Sequence, residues 1–144
     1  MAEVHLVVGC ALILLNLAAG VLGGVAWFRD RPSVPFWYLL RSAQAAVFLQ
    51  TLLGGLLVFT GHKPDDNLHY LYGTLPLLVS FLAEGARAGA AERELGDVDL
   101  EALSASDQQA IALAIVRREM GIMAVSCGVI LFLALRAAGT SGAF

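Results

Sequence analysis

Between Val4 and Phe28 the chain runs for 25 residues without an Asp, Glu, Lys or Arg. About 20 such residues take a helix across the hydrocarbon core of a bilayer. Inside that core only helices and closed barrels satisfy their own backbone. The run resembles a secretory leader only superficially. Glu3 precedes it with no basic residue, and it is longer than the usual apolar segment of ~7–15 residues. It reads as a retained first helix.

Three further apolar blocks follow, and the spacing predicts helices over about 36–60, 67–94 and 106–137. Hydrophobic residues are 58% of the chain and charged residues 15%, against roughly half and a quarter in a soluble domain. The expected fold is all-α, a single membrane domain over 1–144 built as a four-helix up-down bundle. Residues 84–118 form its charged hairpin. The net charge of −3 comes with no basic run, so nucleic acid is not an expected partner. The bilayer is. Cys10 and Cys127 both fall in apolar blocks, so no disulfide framework is expected.

The turns carry the polar residues. Arg29 to Pro35 ends the first helix, flanked by Trp27, Phe28, Phe36, Trp37 and Tyr38 as an interfacial aromatic belt. His62 to Asn67 separates the second helix from the third, with Asn67 as its N-cap. Gly96 to Ser106 is acidic and turn-like, and Ser106-Asp107 suits the start of the fourth helix.

Seven of the nine Lys and Arg residues (Arg29, Arg31, Arg41, Arg87, Arg93, Arg117 and Arg118) flank the first and third turns. Only Lys63 and Arg136 belong to the opposite side. The positive-inside rule then puts both termini and the histidine turn outside a plasma or inner membrane.

This topology predicts three polar layers. Arg41, Glu84, Arg87, Arg118 and Glu119 form an inner ion-pair belt, with Arg117 near Glu84. Asn16 and Gln50 come level at mid-depth, where they either hydrogen-bond across helices or hold a polar headgroup such as a quinone's. His5, His62 and His69 lie at the outer face.

The outer layer carries the candidate chemistry. His5 and His69 sit on helices that run parallel, so both imidazoles can ligate one haem iron. Gly9 and Gly73, each four residues further in, leave space for a flat ring, and Tyr72 or Lys63 can reach a propionate. A second option is a divalent metal held by His62, His69, Asp65 and Asp66, with Glu3 and His5 near. The same side chains also suit the headgroup region as ordinary polar residues.

The segment Gln50-xxx-Gly54-xxx-Val58-xx-Gly61, followed by a histidine at the head of the next helix, resembles the four-helix halves of haem A synthases and other small haem-b membrane proteins. The resemblance covers about 20 residues of the second and third helices. It implies a glutamine–glycine helix beside haem b and His69 as an axial ligand. The family's other ligand lies on the preceding helix, where His5 is the one histidine. Here Leu6 follows His5, where the family pairs histidine with arginine.

The sequence has no nucleotide-binding glycine loop, nucleophile–base pair or zinc-protease motif. An enzyme is therefore not the expected class. Two classes remain: a haem or metal protein passing electrons at its outer face, and a non-catalytic accessory subunit of a membrane complex. The glycine spacings Gly20-xxx-Gly24 and Gly85-xxx-Gly89 suit close helix contacts, including a homodimer. A transporter-like oligomer ranks third.

Overall fold

The computed structural model describes residues 1–64, 66–96 and 98–141. Four long helices make up the fold: α1 (Ala2–Phe28), α2 (Val34–Phe59), α3 (Leu68–Leu95) and α4 (Ala105–Gly139), with a 3₁₀ turn at Leu100–Ala102. No strand occurs among the described residues.

Local chemistry sets the helix starts. The Ser33 hydroxyl accepts from the Phe36 amide and a proline follows in the first turn, so α2 opens at Val34, ahead of the expected Phe36. At α3 the expected Asn67 is the N-cap but its side chain makes no capping bond. The Asp66 carboxylate accepts from the Leu68 amide instead. At α4 the cap is Ser104 rather than Ser106. The Ser104 hydroxyl accepts from the Asp107 amide and also donates to the Asp107 carboxylate. These two bonds tie the first turn of α4 to Ser104, two residues ahead of the expected start.

Neighbouring helices run in opposite directions. Gly9 and Gly23 of α1 lie against Gln50 and Phe36 of α2, and Gly20 and Trp27 lie against Cys127 and Gly121 of α4. His69 and Arg87 of α3 reach Ala137 and Glu119 of α4. The α2–α3 seam is the sparsest of these contacts.

Three helices, α1, α2 and α4, are long and apolar enough to cross a membrane. The expected fourth, α3, falls short of that measure. Its uncharged stretch, 68–83, is 16 residues and includes His69, Thr74, Pro76 and Ser80. Phe28, Phe59, Tyr38 and Phe132 stay exposed on the outside of the bundle. Water would penalise such a surface; lipid does not.

The core is made where small residues let helices approach. Phe36 is fully buried with Ala19, Ala26, Leu40, Ala83, Met120, Met123 and Cys127. A smaller cluster joins Leu12, Val47 and Ile130. Without water to expel, this packing is held by dispersion contacts and interhelical hydrogen bonds. Gly20 packs against α4 within the chain, while Gly24 and Gly85 meet no atom within 4 Å of an added Cβ.

The charged end forms largely as expected. Glu84 receives Gln44 at 2.7 Å, Arg87 at 2.9 Å and also Arg41, so α2 and α3 are pinned here. Arg87 continues to Glu119 of α4 at 3.3 Å. Two arginines differ from expectation. Arg118 pairs with Glu94, and Arg117 with Asp30 in the first turn. Successive helix residues point about 100° apart, so turning Glu119 toward Arg87 sends Arg117 and Arg118 to other neighbours. Asp30 itself lies in the left-handed region at φ 52°.

Candidate functional site

At the other end of the bundle, His5 of α1 and His69 of α3 face each other, ring centres 6.3 Å apart and planes at 59°. Both are partly buried. The expected meeting of these two imidazoles is present.

Each ring is held through one nitrogen. His69 Nδ1 lies 2.9 Å from the Ala137 carbonyl oxygen of α4. A carbonyl only accepts, so Nδ1 carries the proton and Nε2 presents its lone pair. A backbone carbonyl behind a histidine fixes tautomer and ring direction in the way that metal-binding histidines need.

His5 Nε2 lies 3.1 Å from Gln50 Nε2. With the amide donating, His5 Nδ1 carries a proton. With the amide turned over, Gln50 Oε1 accepts from Nε2–H and His5 Nδ1 offers a lone pair. His5 Nδ1 and Gln50 Oε1 are both buried without a hydrogen-bond partner. An unmet polar atom in a buried place costs about 1–3 kcal/mol. This cluster therefore has unused capacity for a ligand.

Gln50 belongs to the histidine layer, which corrects the expected mid-depth pairing with Asn16. The reversal between α1 and α2 is centred near Asp30 rather than Ser33, as the contacts Gly9–Gln50 and Gly23–Phe36 require. That shift raises Gln50 to the level of His5. Asn16 stays buried and donates to the Leu12 carbonyl of its own helix at 2.9 Å.

The other site residues fall as follows. Tyr72 is half-buried, and the Arg136 guanidinium lies 5.5 Å from its ring centre. Lys63 is exposed in the turn. His62 is exposed and its Nδ1 lies 3.3 Å from Thr60 Oγ1. Asp66 caps α3. Asp65, named in the metal reading, lies outside the described residues. Among the described residues no three of His, Cys, Asp and Glu come together to hold a metal ion. The turn thus does not assemble the expected His62, His69, Asp66 set. His62 and Asp66 are engaged by local backbone and hydroxyl groups, while His69 turns toward α4.

Two parts of the site had no side-chain signal or a weak one. The Ala137 carbonyl is backbone and has none. Gly54, which lies under His5, had a signal only in its spacing from Gln50. No protein family, curated protein or solved structure matches this chain.

Proposed function

We propose that this chain is a small integral membrane protein that holds one haem b between His5 and His69 and exchanges electrons at its outer face. The observation that carries this reading is the separation of the two imidazoles. Two imidazoles that held one metal through nitrogen bonds of about 2 Å would have ring centres up to about 6 Å apart. The 6.3 Å separation of the His5 and His69 rings is close to that span.

The residues present fit the group. His69 Nε2 is left available, and so is His5 Nδ1 when the Gln50 amide is turned so that Oε1 accepts from His5 Nε2–H. Of the two glycines expected to leave room for the ring, Gly9 is filled by the Gln50 side chain, while Gly73, one turn in from His69, has no atom within 4 Å of an added Cβ. Two ligands suffice for a haem, whereas a protein-held zinc asks for three or four. Haem supplies one-electron exchange at its iron. The chain's part is to aim two imidazoles, exclude water from between the helices and offer Arg136 or Lys63 to a propionate.

In this reading all four helices cross the membrane as an up-down bundle with both termini outside. α3 crosses beside α4, with His69 and Ser80 turned to the bundle and the exposed Thr74 hydroxyl bonded back to the Tyr70 carbonyl of its own helix. Lys63 is the sequence's only lysine. A membrane-impermeant amine reagent should therefore label Lys63 in intact cells. Labelling of Lys63 only after permeabilisation would reverse the orientation.

Hemin titration of the detergent-purified protein tests the haem reading. One equivalent should give a saturable Soret band with sharp reduced α and β bands. A broad, non-saturating spectrum would rule out the site. A groove of about 280 Å³ on α2, lined by Phe48, Thr51, Leu52, Leu56, Phe59 and Leu77 among others, favours the accessory-subunit reading as the alternative. That reading requires a colourless protein with a stoichiometric membrane partner.

A further inference from the structure

We infer that Gly9 and Gly54 are positioning residues, which with Gln50 fix the His5 ring by a reciprocal clasp between α1 and α2. The sequence holds two matched spacings, His5-xxx-Gly9 and Gln50-xxx-Gly54. Residues four apart share one face of a helix. The two helices run in opposite directions, so each polar side chain lies over the other helix's glycine.

The contacts bear this out on both sides. A Cβ at Gly9 would stand 2.9 Å from Gln50 Nε2, the atom that meets His5. A Cβ at Gly54 would stand 3.2 Å from His5 Cε1 and 3.9 Å from His5 Nδ1. Each glycine thus leaves the gap that the opposite side chain fills, and the two filled gaps bring His5 and Gln50 within hydrogen-bond reach. Gly24 of α1 and Gly55 of α2 differ, since an added Cβ at either meets nothing within 4 Å.

The two substitutions act differently from ordinary overpacking. At Gly9 the crowded atom is the end of a flexible side chain, so the amide can swing away and the fold survives. The swing removes the partner of His5 Nε2. At Gly54 the imidazole itself is pushed by a few tenths of an ångström, which turns the nitrogen that would face a ligand.

As a device for aiming an axial ligand, the clasp rests on the haem reading; as a device for holding His5 it does not. The experiment separates the two. Four variants are made: Gly9→Ala and Gly54→Ala in the clasp, Gly24→Ala and Gly55→Ala as controls. Each is studied by NMR of ring-¹⁵N histidine in the haem-free protein, and by hemin titration. The clasp variants should move the His5 ring signals and leave those of His62 in place. They should weaken hemin binding by about ten-fold or more, the usual scale for a lost orienting partner. The controls should match wild type in both. If clasp and control variants give the same His5 spectrum, the inference is overturned. If His5 responds but wild type takes up no hemin, the clasp stands and the haem reading falls. If wild type binds hemin and the clasp variants bind it equally well, the glycines do not aim the ligand.

Discussion

His69→Ala is expected to abolish the Soret band of the hemin-loaded protein while leaving the bundle folded. The substitution removes the one α3 nitrogen available to the iron. Its structural cost is small, because the Ala137 carbonyl that His69 bonds also accepts from the Thr140 amide at 3.2 Å and hydroxyl at 3.0 Å. No backbone group is orphaned. Circular dichroism should therefore match wild type while the pigment is lost. His5→Ala should lose it as well. That change strands Gln50 without its ring partner, a loss of about 1–3 kcal/mol for a buried amide, so some destabilisation accompanies it. His69→Met keeps an axial ligand and should retain haem at a higher reduction potential. His62→Ala should change nothing in the spectrum, since His62 is exposed and its ring bonds Thr60 within the turn. If His62→Ala removed the pigment and His5→Ala did not, the ligand pair would be wrongly assigned.

The second large effect concerns the fold and is independent of any cofactor. Gly23→Ala should destabilise the protein by about 1–3 kcal/mol, and its neighbour Gly24→Ala should stabilise it by up to about 1 kcal/mol. The two positions are adjacent on one helix and differ only in what they face. An added Cβ at Gly23 would clash with the ring of Phe36, which is fully buried in the cluster that also holds Leu40 and Met123. A ring so fully buried has little room to give, so relieving the clash pushes α1 and α2 apart. At Gly24 the new methyl meets open space and only reduces backbone freedom. Unfolding in mixed detergent measures both. Equal effects of the same sign would show that α1 does not pack on Phe36 as described.

Much of this was legible in the sequence because lipid imposes simple rules. Uncharged runs give helices, and short polar turns between them give antiparallel neighbours. The meeting of His5 with His69 needed no more than that, since both lie one turn from the same end of the bundle. The joining of Glu84 to Arg41 and Arg87 followed from the same reasoning. Register was harder. Placing the first reversal at Ser33 rather than Asp30 was enough to send Gln50 to the wrong layer and pair it with Asn16. The actual centre depends on Asp30 adopting a left-handed conformation, with the Arg31 amide bonding back to the Ala26 carbonyl. A sequence reading expects glycine at such a position.

Rotation about the helix axis was the other blind spot. The charges of α4 are consecutive, and which one faces Arg87 is decided by packing further along the helix, where Met120, Met123 and Cys127 are buried. That choice leaves Arg117 to Asp30 and Arg118 to Glu94. α3 falls short of the apolarity of the other three helices for a compositional reason, because His69, Thr74, Pro76 and Ser80 spread along its uncharged stretch.

Electron paramagnetic resonance of the ferric, hemin-loaded protein puts the pairing of His5 and His69 on one iron to the most direct test. The pairing requires a low-spin signal of two imidazole ligands in wild type, converted to high-spin iron or lost altogether in each single histidine variant. A high-spin signal in wild type, or a low-spin signal that survives His69→Ala, would contradict it.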